Sequence, residues 1–171
     1  MSKGPIGSDI DGTLLDYNYS EGAPTINYKL IQQWRNRSVI LITNQGGLAF
    51  GVQGLKRKDG RPYPTPELFL SRLDALVKTL RSCDIAVPLV YVSLYHDNAP
   101  ISTTIRVRDI LEGEFVQRSF GGHIHISKFY RKPNRAMLLL AGISVYYGDS
   151  DEDEEAAKNA GVEFVRVSRF M

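Results

Sequence analysis

The sequence predicts an α/β fold: a central parallel sheet with helices packed on its faces. Three observations predict it. Ser38-Val-Ile-Leu-Ile-Thr43 is a short, continuously apolar, β-branched run, the form taken by a strand buried on both sides. It follows an amphipathic segment and an earlier strand-like stretch, all within about 40 residues, the size of a strand–helix–strand unit. Acidic or hydroxyl residues stand where strands end, at Asp9, Thr43 and Asp149, and open parallel sheets bind their ligands beyond that edge.

Taken in order, residues 5–9 form the first strand. Asp9 and Asp11 then share one side of the chain, because successive side chains of a strand alternate. Pro5-Ile6-Gly7-Ser8 is less apolar than the later strands, which suggests a short or edge-like one. Residues 17–25 are polar and contain Gly22 and Pro24, so they form a loop. Asn27 is placed to cap a helix carrying Leu30, Ile31 and Trp34 at helical spacing. After the strand at 38–43, residues 46–64 read as a mobile loop rich in glycine and basic residues. Thr65-Pro66-Glu67 opens a helix with an N-cap, a proline at the first position and an acid near the dipole's positive end. Leu68, Leu73, Leu76, Val77 and Leu80 give that helix its buried stripe. Cys83 is a packed thiol, and residues 88–94 form the third strand.

Residues 104–108 and 123–127 both alternate polar with apolar, so each reads as a strand with one wet face. The segment 95–131 is therefore expected to be an inserted arm or small cap. His123 and His125 share a side, but two histidines without a third ligand read as a surface face. A helix through Leu140, a strand at 144–147, a helix over 154–160 ended by Gly161, and a last strand at 162–167 complete the chain.

Composition bounds the function. At 171 residues with 43% hydrophobic and 23% charged residues, the chain has material for a real core and is expected to form a single domain over 1–171. Its apolar runs are too short to span a bilayer, and the first seven residues lack the apolar stretch of a secretory leader. A cytoplasmic location is the expectation. A single cysteine excludes an internal disulfide and a cysteine-built zinc site. The net charge is +2, but six acids lie within residues 149–155, so the remainder carries +8. The densest basic run, Lys56, Arg57, Lys58 and Arg61, reads as a solvated loop or as a rim facing a polyanion.

Four stretches carry chemistry. Asp9-Ile-Asp11-Gly-Thr-Leu14 places two carboxylates at a strand end; by itself it could be an acidic turn. Thr43-Asn44-Gln45-Gly46-Gly47 offers a hydroxyl and exposed amides able to grip a phosphate oxygen; alone it could be a polar turn. Arg131-Lys132-Pro133 precedes a helix, and a residue before proline is held extended, letting the amine reach over a site. Gly148-Asp149-Ser-Asp-Glu-Asp153 brings a second acidic group to a strand end, where the helix dipole also favours acids. Carboxylates converging from Asp9 and Asp149 would make a site too negative for a phosphate without a cation, and Mg²⁺ suits such oxygens.

In this order and spacing the four motifs resemble those of the haloacid dehalogenase superfamily of phosphatases. The resemblance implies a Rossmann-like three-layer sandwich and a Mg²⁺-dependent phosphomonoester hydrolase acting through an aspartyl-phosphate. It implies Asp9 as nucleophile, Asp11 as general acid and base, and Thr43, Asn44 and Lys132 as the phosphate cradle. The metal set it implies is Asp9, Asp11 through its backbone carbonyl, Asp149 and Asp153, with Asp151 or Glu154 as alternatives to the last. The Thr43–Gly47 and Arg131–Pro133 forms are closest to polynucleotide 3'-phosphatases and to histidinol-phosphate and heptose-bisphosphate phosphatases. The ending over residues 164–171 also resembles the first group. A nucleic-acid 3' end, in a DNA-repair setting, is the expected substrate; a sugar phosphate or histidinol phosphate is the alternative, and a non-catalytic nucleic-acid-binding module ranks last. No Gly-x-x-x-x-Gly-Lys-Ser/Thr loop of a kinase is present.

Overall fold

The computed structural model describes residues 4–17 and 23–168. Parts of two expectations, the loop at 17–25 and the ending at 164–171, lie outside the described residues. Strands β1 (Ile6–Ser8), β2 (Val39–Asn44), β3 (Val90–Ser93), β4 (Gly122–His125), β5 (Val145–Gly148) and β6 (Glu163–Arg166) form one sheet in the order β4-β3-β2-β1-β5-β6. Every pairing in it is parallel. The helices are α1 (Tyr28–Ile31), α2 (Leu48–Val52), α3 (Pro66–Ser82), α4 (Ile101–Gln117), α5 (Ala136–Ala141) and α6 (Asp151–Ala160).

The alternation of β2 shows why its run had to be apolar throughout. Val39 and Leu41 face a core built with Trp34, Leu73, Leu76, Leu80, Val107 and Leu111, under α1, α3 and α4. Ile40 and Ile42 face the opposite core, built with Met137, Leu138, Tyr146, Ala156 and Ala157, under α5 and α6. Period-2 geometry thus sends one strand's side chains into both layers. Helix ends follow the local chemistry: Asn27 accepts from the Leu30 amide, Thr65 from the Leu68 amide, and Gly161 closes α6 in the left-handed conformation. Cys83 packs against the first core.

Four expectations change. The first strand is short, but it is central rather than edge-like, lying between β2 and β5. Gly7 makes this possible, because a Cβ there would overlap the Ile143 Cδ1 atom and lie 3.1 Å from the ring of Tyr146. Residues 104–108 are not a strand but part of α4, whose buried residues Thr104, Val107, Leu111 and Phe115 recur at three- and four-residue spacing. Within the segment 95–131, where an inserted arm or small cap was expected, residues 101–125 supply a crossover helix and the outer strand β4, which pairs with β3. The segment at 46–64 includes the short helix α2. Among the described residues, no helix is long and apolar enough to cross a membrane.

Candidate active site

The three central strands β2, β1 and β5 end side by side, and the residues leaving them line a cavity of about 460 Å³. Asp9 follows β1, Thr43 and Asn44 end β2, and Asp149 follows β5; Lys132 and Asp153 reach in from the loop before α5 and from the first turn of α6. All six, together with Asp11, line this one cavity.

Lys132 is its centre. The side chain is 3% exposed, and its ammonium lies 3.0 Å from Asp9 Oδ1 and 2.8 Å from Asp153 Oδ1. It also donates toward the Ile42 carbonyl at 3.1 Å and the Tyr146 hydroxyl at 2.7 Å. Four acceptors thus surround its three hydrogens. The Asn44 side chain holds the lysine's backbone at both ends: its Nδ2 donates to the Lys132 carbonyl and its Oδ1 accepts from the Lys132 amide, each at 3.1 Å. The side chain of Asn44 thus positions Lys132, a role that spacing along the chain could not reveal.

Asp153 is placed by its own helix. Its Oδ2 accepts from the Ser150 amide while its amide donates to Ser150 Oγ, a reciprocal cap that leaves Oδ1 facing Lys132. Of the competing acids, Asp151 and Glu154 both pair with Arg166, and Asp151 also lines the cavity rim. Asp153 is the acid of the first turn of α6 that meets Lys132. At the other wall, Gly12 turns at φ +80°, where a Cβ would overlap the Asp149 carboxylate and the Tyr17 ring. Tyr17 donates its hydroxyl hydrogen to Asp149 Oδ2 at 2.5 Å. Burial, then that bond, push the phenol of Tyr17 far above its ordinary value.

Charge sets what the site can hold. Burial raises the Asp9 carboxyl well above the usual range; Lys132 opposes the rise, while Asp153 and Asp11 add to it. Burial also works against the Lys132 ammonium, but Asp9, Tyr146 and Asp153 outweigh it and hold the lysine charged well above its ordinary pKa. One ammonium faces two buried carboxylates, so a further positive charge would favour the ionised form of Asp9. The donors for a cation are present. Asp9, Asp149 and Asp153 each offer an oxygen within 4.8 Å of the others, and Asp149 Oδ1 is buried without a hydrogen-bond partner among the described residues. Hard carboxylate oxygens of this kind fit Mg²⁺.

Two residues missed by sequence reasoning complete the picture. Gln45 Nε2 donates to Asp11 Oδ2 at 2.8 Å and to Thr43 Oγ1 at 2.9 Å. Arg72, from α3, lies 3.4 Å from Asp11 Oδ1. Arg72 interrupts the apolar stripe of α3, and a charged residue at a core-facing position was the available signal.

No protein-family model matches the chain, and no curated protein sequence matches it. Among solved structures it is similar to the D,D-heptose 1,7-bisphosphate phosphatase from B. bronchiseptica, crystallised with magnesium and phosphate. The TM-score is 0.61 at 17% identity, over 94% of this chain and 78% of that one. The two share a fold. It is the Rossmann-like three-layer sandwich expected from the sequence, with six parallel strands between two layers of helices.

Proposed function

We propose that this chain is a Mg²⁺-dependent phosphomonoester hydrolase working through an aspartyl-phosphate at Asp9. The observation that carries the proposal is the convergence on one cavity of Asp9, Asp149 and Asp153 with the Lys132 ammonium 3.0 Å from Asp9. In the first step an Asp9 oxygen attacks phosphorus, the ester P–O bond breaks, and Asp11 gives its proton to the departing oxygen. In the second, Asp11 takes a proton from water as that water attacks the aspartyl-phosphate, releasing phosphate and restoring Asp9. Lys132 and the Thr43 hydroxyl, with the Asn44 amide, hold the phosphoryl oxygens, since this chemistry depends on position and charge. Held by Asp9, Asp149 and the Asp11 carbonyl, with Asp153 supporting, Mg²⁺ would supply neutralisation of the nucleophile and phosphoryl charges.

The substrate we favour is a 3'-phosphate at a nucleic-acid end. The motif forms at residues 43–47 and 131–133 support it, as does the presence of Arg57 and Arg131 in the cavity wall, where a strand's own phosphates would pass. A small sugar phosphate is the second reading, favoured by the heptose-bisphosphate phosphatase with the same fold. Release of phosphate from p-nitrophenyl phosphate with Mg²⁺, and its loss in EDTA or in Asp9→Asn, tests the activity. Rates on a 3'-phosphorylated oligonucleotide, a mononucleotide and sugar phosphates then choose between the substrates. Undiminished activity in folded Asp9→Asn would reject the proposed nucleophile.

A further inference from the structure

The Asp11 carboxylate is gripped at both oxygens by side chains from two other elements. Gln45 Nε2, just beyond β2, donates to Oδ2 at 2.8 Å. Arg72 Nη2, from the middle of α3, meets Oδ1 at 3.4 Å and donates to the Asp16 carbonyl at 2.6 Å; its Nη1 lies 3.6 Å from Asp16 Oδ1. Arg72 and Gln45 are 4% and 5% exposed. We propose that Arg72 and Gln45 are positioning residues that hold Asp11 in the orientation from which its proton reaches the leaving oxygen. The proposal rests on the phosphomonoesterase reading above.

Three features support it. Arg72 is buried on a face of α3 whose other residues, Phe69, Leu73 and Leu76 among them, are core. An apolar side chain would fill that place without the cost of desolvating a cation, so the charge is there for its partners. Those partners begin and end the turn that carries Asp11, so Arg72 fixes the carboxylate and the frame of the turn together. Finally, the same Gln45 amide nitrogen donates to Thr43 Oγ1 at 2.9 Å. The proton donor and the hydroxyl assigned to the phosphate are thereby held in one network. A misplacement of about 1 Å in such a group costs on the order of a hundredfold in rate.

A residue that only stabilises the fold lowers all rates alike. A residue that aims a proton lowers rates only where a proton is needed. The test is therefore kcat/KM, which ends at departure of the first product, on two aryl esters: 2,4-dinitrophenyl phosphate, whose phenolate leaves unprotonated, and phenyl phosphate, whose oxygen needs the proton. Asp11→Asn, Arg72→Lys and Gln45→Met are compared with the unaltered chain. Arg72→Lys keeps the charge but loses the two-armed fork, and Gln45→Met keeps the shape should the buried arginine prove necessary for folding. In both variants the loss on phenyl phosphate is expected to exceed the loss on the dinitrophenyl ester by at least about tenfold, toward the range that a positioned acid contributes. Equal losses on the two esters in both variants, with Asp11→Asn selective, would overturn the clamp alone. Equal losses in Asp11→Asn would remove the acid assignment and the clamp with it. An unaltered chain that releases no phosphate from either ester would remove the phosphatase reading itself.

Discussion

Replacing Lys132 by methionine removes the cation on which the buried acids depend. The substitution keeps length and apolar stem but leaves Asp9 and Asp153, whose side chains are 11% and 3% exposed, without their shared partner. Two charge-assisted hydrogen bonds disappear, at 3.0 and 2.8 Å, and the Ile42 carbonyl loses a donor. Solvent screens little at this depth. Removing one member of a buried ion pair costs about 3–5 kcal/mol, and that range applies to folding measured in EDTA. Urea unfolding monitored by fluorescence gives the number directly from the midpoint and slope. Saturating Mg²⁺ should return part of the loss, because a cation bound only by the folded chain stabilises it by mass action. A loss below about 1 kcal/mol in EDTA would refute the reasoning, since it would mean that the two carboxylates do not need the ammonium.

Other perturbations test the parts separately. Asn44→Ala removes both bonds to the Lys132 backbone and should cost about 1–3 kcal/mol in urea unfolding, with a fall in phosphatase rate as the lysine loosens. Gly7→Ala places a methyl against Ile143 and Tyr146 in the central strand; a loss of about 1–3 kcal/mol is expected, partly recovered by Ile143→Val. His125, stacked on Tyr130 at 3.7 Å, is held below its ordinary value of 6.5 by burial and then by His123. Below pH 6.5 the unfolded chain therefore binds more protons at this position than the folded one, and stability falls as pH falls. The urea midpoint should drop less steeply through this range in His125→Gln; identical slopes would contradict the assignment.

Much of the fold was legible because several signals agreed locally. The run at 38–43 could only be buried on both faces, and Thr65-Pro66-Glu67 and Gly161 marked helix ends by their backbone chemistry. Residues 104–108 misled because five residues of alternation fit a strand, whereas the helical spacing of Thr104, Val107, Leu111 and Phe115 emerges only over twelve. The first strand looked edge-like because Pro5-Ile6-Gly7-Ser8 is less apolar than the later strands, while Gly7 in fact admits Ile143 and Tyr146. The acids and the lysine of the site were visible as motifs, at strand ends for Asp9 and Asp149 and near helix starts for Lys132 and Asp153. Gln45, Arg72 and the side-chain role of Asn44 were not, because each acts through a tertiary contact at a sequence separation of 34 to 88 residues. Chain-local patterns carry no record of such partners.

The proposed hydrolysis requires Asp9 to be the group that takes the phosphoryl. Quenching the chain during turnover of a phosphomonoester with Mg²⁺, followed by borohydride reduction and peptide mass spectrometry, converts an aspartyl-phosphate to homoserine at the residue that carried it. Homoserine at position 9, dependent on both substrate and Mg²⁺, is the predicted result. Homoserine at another acid, or none while phosphate is being released, would contradict it.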